Sequence, residues 1–192
     1  MNKSWIANGF TAANALFGGL SIMMSISGEY HVAAICILIA MAADAFDGRV
    51  ARALGTAGPM GVELDSLSDD ISFGVAAGAL MYSYQLRELG ALGFIPCALL
   101  GAFCAFRLAR FNVKVTSVHG YFEGLPCPTV GVIIACYVLS GVKIWNWLAM
   151  VCVLALAVLM VKYIIRIIKA PAPISFICRH SCSASVFSYF AP

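Results

Sequence analysis

Long apolar runs alternate along the chain with short clusters of glycine, proline and charge. Runs near residues 5–26, 31–53, 68–85, 90–111, 129–145 and 147–168 each fall in the range of roughly 17–25 residues over which a helix can cross a bilayer. Between them stand Gly28 with Glu29, the stretch from Gly55 to Gly61, Arg87 with Glu88, the stretch from Lys114 to Pro128, and the stretch from Lys143 to Asn146, the residue types that break helices or sit at membrane boundaries. The pattern predicts an all-α integral membrane protein, a six-transmembrane-helix bundle with both termini on one side. After Lys169 the helical period is lost in a mixture of proline, serine, cysteine and phenylalanine. Residues 1–169 are therefore expected to form the membrane domain and 170–192 a weakly structured C-terminal tail.

Composition agrees with this reading and excludes a soluble domain: of 192 residues, 62% are hydrophobic and only 11% charged. The spans use up the length, leaving no room for a separate soluble domain. Ten basic residues (Lys3, Arg49, Arg52, Arg107, Arg110, Lys114, Lys162, Arg166, Lys169 and Arg179) fall on the side of the termini, and only Arg87 and Lys143 on the other. The positive-inside rule then turns the termini and the connections at 49–69 and 107–128 towards the cytoplasm. The first run carries Asn8, Thr11 and Asn14 and lacks a following A-x-A cleavage pattern, so it is expected to be a retained first helix rather than a signal peptide. Cys36, Cys97, Cys104, Cys136 and Cys152 lie within apolar runs and are expected to pack as small hydrophobes. Cys178, His180 and Cys182 in the tail have metal-like residue types but lack a fourth ligand, so no zinc site is expected there.

The chemistry is concentrated where lipid should exclude it. Asp44, Asp47, Glu63, Asp65 and Asp69 fall within 26 positions of an otherwise apolar chain, and acids at membrane depth or its edge are costly enough to be functional candidates. Asp44 and Asp47 are spaced i, i+3, and Asp65 and Asp69 i, i+4, so each pair shares a helix face. The Gly55–Gly61 stretch lets the second helix of the pair return antiparallel to the first, so the two acidic faces meet. Four facing carboxylates repel unless protons or cations compensate, and an oxygen-only ligand set favours Mg²⁺ or Mn²⁺ over zinc. Such ions would hold a diphosphate. Gly48 and Gly61 leave room for a nucleotide against the backbone, and Arg52 presents a fork of donors suited to a phosphate oxygen. Asp70 turns roughly 100° away from Asp69 on a helix and is left out of the set. The bland alternative, salt bridges to Arg49 and Arg52 at a membrane boundary, accounts for one acid but not for two same-face pairs separated by glycines.

The run D-x2-D-G-x2-A-R-x8-G-x3-D-x3-D, from Asp44 to Asp69, resembles the signature of the CDP-alcohol phosphatidyltransferase family without gap or substitution. The resemblance implies a six-helix, generally homodimeric membrane enzyme. It implies that Asp44, Asp47, Asp65 and Asp69 bind divalent metal, as two ions of Mg²⁺ or Mn²⁺, with Asp69 also the general base. It implies that Gly48, Ala51, Arg52 and Gly61 line the pocket for the CDP-lipid. Asn8, Thr11 and Asn14 are similar to a P-N-x2-T-x2-N opening found in several branches, with Ala7 in place of the proline. That places Asn8 and Thr11 with the diphosphate, against the alternative of ordinary interhelical hydrogen bonds.

For the acceptor, the run from Asp65 to Val75, the run Phe106 to Asn112 and the run Phe122 to Pro128 resemble segments of bacterial and archaeal phosphatidylserine synthases. Ala77 stands where proline is common and Asp70 where an apolar residue is usual. The resemblance implies CDP-diacylglycerol and L-serine as substrates, with Arg107, Arg110 and Asn112 at the acceptor, and a prokaryotic cytoplasmic membrane with the active site facing the cytoplasm. A serine carboxylate needs a fixed cation, but the Arg107 and Arg110 pair would also suit glycerol phosphate, so phosphatidylglycerophosphate synthase is the enzyme alternative. A cation transporter would spread its acids along the membrane depth, whereas here they cluster at one connection. No nucleic-acid partner is expected.

Overall fold

The computed structural model describes residues 4–54, 59–114 and 125–161, and every described element is helical. Helices α1 (Ser4–Ile26) and α2 (Tyr30–Leu54) form a hairpin closed at Gly28. Helix α3 (Pro59–Asp69), a π-helical turn (Asp70–Val75) and α4 (Ala76–Tyr84) run on without a break as one rod. A 3₁₀ turn at Leu86–Leu89 leads to α5 (Ala91–Lys114), which is followed by α6 (Cys127–Leu139) and α7 (Asn146–Val161). Among the described residues, three helical stretches, Asn8–Ile26, Tyr30–Arg49 and Ala91–Asn112, are long and apolar enough to cross a membrane, and α6 and α7 are shorter apolar helices.

Two boundaries differ from the sequence expectation. The third rod begins at Pro59 rather than near 68, because proline at the start of a helix sacrifices only an N–H that has no intrahelical partner. The fifth ends at Leu139 rather than near 145, where Gly141 takes a positive φ of 67°. The expected domain boundary at 169, the tail, and the side chains of Ala51 and Arg52 lie outside the described residues.

The packing of α1 shows how the bundle is built. Thr11, Asn14, Gly18, Ser21 and Ser25 recur at intervals of three and four and are all buried, whereas Leu16, Leu20, Met23 and Ile26 are exposed. Small and polar side chains point inward and large apolar ones outward, the arrangement expected where lipid is the solvent and close packing with interhelical hydrogen bonds holds helices together. Gly18 is required by this geometry, since a Cβ there would fall 2.9 Å from Ser72 Cα. At that crossing Ser72 Oγ donates to the Asn14 carbonyl at 2.9 Å. The apolar core, including Ile37, Phe73, Leu80, Leu100, Val130 and Val153, lies behind this seam.

The end of the bundle away from the aspartates has its own polar cluster. Gln85 donates to the Ile144 carbonyl and to Asn146 Oδ1, and its carbonyl accepts from Tyr137 Oη. Asn146 Nδ2 in turn donates to Glu88 at 2.6 Å, and Lys143 lies 5.0 Å from the centre of the Tyr84 ring. These contacts pin the α6–α7 connection onto the end of α4.

Candidate metal centre

Helix α2 presents Asp44 and Asp47 one turn apart, and α3 presents Asp65 and Asp69 one turn apart. The return of the chain brings these faces together: one carboxylate oxygen each from Asp44, Asp47 and Asp65 lie within 4.8 Å of one another. Asp69 completes the group from the side, its carboxyl beside that of Asp44 and 9% exposed. Two carboxyl groups approach in this way only with a proton or a cation to share.

Helix α1 supplies the neutral donors. Thr11 Oγ1 donates to Asp47 at 2.9 Å, and Asn14 Nδ2 donates to Asp69 at 3.1 Å. Asn8 Oδ1 lies beside Gly61, 3.7 Å from where a Cβ would stand, Thr11 touches the cluster through Asp47, and Gly48 directly follows Asp47 on α2. The interhelical hydrogen bond weighed for Thr11 is present, and its partner is itself a candidate ligand.

Magnitudes say what this arrangement requires. Two unit charges about 4 Å apart repel by about 4 kcal/mol at an effective dielectric of 20, whereas a hydrogen bond to a charged group contributes about 1.5–3 kcal/mol. Donation from Thr11 and Asn14 therefore cannot offset three or four clustered charges. Asp65 Oδ1 is buried without a hydrogen-bond partner, and every ligand atom is a hard carboxylate oxygen. The residues fit a divalent cation of the magnesium or manganese kind.

The remaining sequence candidates sit one layer out. Arg107 Nη1 donates to Cys127 Sγ at 3.2 Å and its Nε is buried without a partner, while Asn112 Nδ2 donates to Ser66 Oγ at 3.1 Å. Arg110 is half-buried on the same helix, and Arg49 is exposed. Asp70 stays out of the cluster, as its place on the helix required, and instead lines a cavity of about 140 Å³ with Glu63, Ser66 and Asn112. Sequence reasoning missed two residues. Asn14 was noted in the opening motif but not assigned to the site, although its i+3 spacing from Thr11 puts both on one face. Cys127 had no signal beyond its place between two prolines.

A family model described as CDP-alcohol phosphatidyltransferase matches residues 4–175. Among relatives, a CDP-diacylglycerol–serine O-phosphatidyltransferase of Helicobacter pylori is 37% identical over 71% of this chain and 58% of its own length. An archaetidylserine synthase of Methanothermobacter thermautotrophicus is 40% identical over 67% of this chain and 55% of its own. A CDP-diacylglycerol–serine O-phosphatidyltransferase of Bacillus subtilis is 38% identical over 63% of this chain and 68% of its own. The chain thus spans little more than half the length of the first two.

Proposed function

The chain belongs to the CDP-alcohol phosphatidyltransferase family, and on that premise we propose that it is a phosphatidylserine synthase, moving the phosphatidyl group from CDP-diacylglycerol to L-serine with release of CMP. The observation that carries the reading is the meeting of Asp44, Asp47 and Asp65 within 4.8 Å beside Asp69. The choice of serine is supported by the names of the relatives and by the flanking runs around Asp65, Arg110 and Pro126.

In this reading Asp44, Asp47, Asp65 and Asp69 hold the metal, Mg²⁺ or Mn²⁺ and two ions. Bound there, it supplies charge neutralisation for the diphosphate and for the departing CMP. Asn8, Thr11, Gly48, Ala51, Arg52 and Gly61 flank the CDP-lipid. Asp69 takes the proton from the serine hydroxyl as its oxygen forms the new bond to the lipid-bearing phosphorus, and the bond from that phosphorus to the CMP oxygen breaks. Asn14, donating to Asp69, holds that carboxyl in register. Arg107 and Arg110, with Asn112, receive the acceptor. Arg107 has one buried N–H still to satisfy, which a serine carboxylate would accept.

The same reading places six spans in a prokaryotic cytoplasmic membrane, the acidic end towards the cytoplasm, in a homodimer, with residues 1–169 as the membrane domain and 170–192 as a tail. The test is CMP release by the purified protein from CDP-diacylglycerol with one acceptor at a time. Release is expected with serine and a divalent ion and is abolished by a chelator. Release with glycerol 3-phosphate but not serine would reassign the acceptor, and no release with any acceptor would sink the reading.

A further inference from the structure

Both α5 and α6 pack against the π-helical turn that follows Asp69, and glycine sets how near they come. A Cβ on Gly74 of the turn would fall 2.9 Å from Cys104 Cβ on α5, and a Cβ on Gly131 of α6 would fall 2.7 Å from the Phe73 ring. Arg107 stands one turn beyond Cys104, and Cys127 one turn before Gly131. The two close approaches therefore fix both residues on the side of the turn where Asn112 reaches Ser66, the acidic end of the bundle. There Arg107 Nη1 donates to Cys127 Sγ at 3.2 Å. Cys127 is 0% exposed, and Pro126 and Pro128 bracket it and fix where α6 begins. Arg107 Nε is buried with no hydrogen-bond partner among the described residues.

We propose that Cys127 is a positioning residue for the acceptor, its sulfur holding Arg107 so that the Nε–H is presented to the carboxylate of an amino-acid acceptor. This role rests on the function proposed above, in which Arg107 receives the acceptor. A guanidinium is planar and its donors form a rigid fork. A bond at Nη1 therefore orients the edge formed by Nε and Nη2, one of the edges that meet a carboxylate through two parallel hydrogen bonds. Of the acceptor candidates, Asn112 is already turned to Ser66, whereas Arg107 keeps a buried donor in hand.

The choice of sulfur matters. A carboxylate at position 127 would pair with the guanidinium by strong charge-assisted bonds and compete with the incoming anion. A thiol is only a weak acceptor, so it sets the direction of the side chain and leaves the positive charge for the acceptor. Arginine also has a long side chain with many rotamers to lose, and ordering it before the acceptor arrives removes part of the entropy that binding would otherwise cost. The effect falls on acceptor binding. Cys127 bonds to no candidate metal ligand, and its partner Arg107 is assigned to the acceptor alone, so turnover of the bound acceptor and the hold on the CDP-lipid are left as they were.

The experiment compares the full chain with its Cys127→Ala and Cys127→Ser variants in lipid nanodiscs. Cys127→Ala should raise the KM for serine about tenfold, the lower end of what a hydrogen bond to a charged group is worth, with kcat and the KM for CDP-diacylglycerol unchanged. Cys127→Ser keeps an acceptor for Nη1 and should restore most of the loss. Phenylglyoxal, which modifies guanidinium groups, gives a second reading by peptide mass without turnover: Arg107 should be labelled faster in Cys127→Ala than in the parent, and at close to the parent rate in Cys127→Ser. A Cys127→Ala variant with the parent's KM for serine overturns the proposal. So does a loss confined to kcat, a Cys127→Ser variant as impaired as Cys127→Ala, or equal labelling of Arg107 in all three proteins. The expected labelling in a protein that releases no CMP with serine would instead count against the proposed function and leave the hold on Arg107 standing.

Discussion

Both ends of the bundle bury polar groups, but they settle them in opposite ways. At the end built on Gln85, donors and acceptors close on one another: Tyr137, Gln85, Ile144, Asn146 and Glu88 form one connected chain of hydrogen bonds. At the acidic end the accounts stay open. Asn14 Oδ1, Asp65 Oδ1, Asp70 Oδ1 and Arg107 Nε are buried with no hydrogen-bond partner among the described residues. A satisfied network rigidifies, while an unsatisfied one costs stability unless something else completes it. The Gln85 end is a clasp that finishes the fold, and in the proposed reading the acidic end is a receptor whose partners arrive from outside.

Substitutions can break this contrast, and the largest effect is expected at Asp69. Asp69→Asn should lower CMP release by about 10²–10⁴-fold, the usual worth of a general base, and an Asp69→Asn variant of full activity would remove Asp69 from that role. Asp65→Asn should separate function from stability. It removes one of the mutually repelling charges, so the metal-free protein should melt at the same or a higher temperature, while the rise in melting temperature on adding Mg²⁺ or Mn²⁺ should shrink. An unchanged metal-dependent rise would show that the cation sits elsewhere.

Asn14→Ala tests whether α1 serves the chemistry or only the packing. Losing a hydrogen bond to a charged group, about 1.5–3 kcal/mol, should cost about 10- to 100-fold in turnover with metal binding retained. At the other end Gln85→Ala should lower stability by about 0.6–2 kcal/mol, the worth of polar contacts between membrane helices, with turnover per folded molecule unchanged. Turnover loss there equal to that of Asn14→Ala would erase the distinction between the ends. The smallest effect is expected at the exposed Glu88, where Glu88→Gln should stay within about 0.5 kcal/mol in a thermal melt.

The sequence made the aspartates legible because their spacing is local. Faces set by i, i+3 and i, i+4 follow from helix geometry alone, and a connection rich in glycine and proline was enough to turn one pair towards the other. What escaped was set by distant contacts. Asn14 meets Asp69 across 55 positions of chain, and nothing local distinguishes that bond from any polar contact between membrane helices. The π-helical turn at Asp70–Val75 was equally hidden, since it lies where Gly18 admits the rod against α1 and no residue in the run demands an extra residue per turn. Asp70, which helix geometry turns away from Asp69, lines the cavity with Glu63, Ser66 and Asn112. Cys104, expected to pack as a small hydrophobe, is buried in the apolar core.

The inward stripe of α1 also bears on how the protein is made. In the proposed membrane reading a ribosome delivers α1 into the bilayer before any residue it will serve. Thr11 acquires Asp47 when the hairpin closes, but Asn14 waits for a rod that follows much later in translation. Until then a fully formed helix holds an amide and several hydroxyls in a surface that lipid cannot solvate. In that reading the newborn segment has reason to linger beside the insertion machinery, and the candidate metal centre is completed only when the third rod docks.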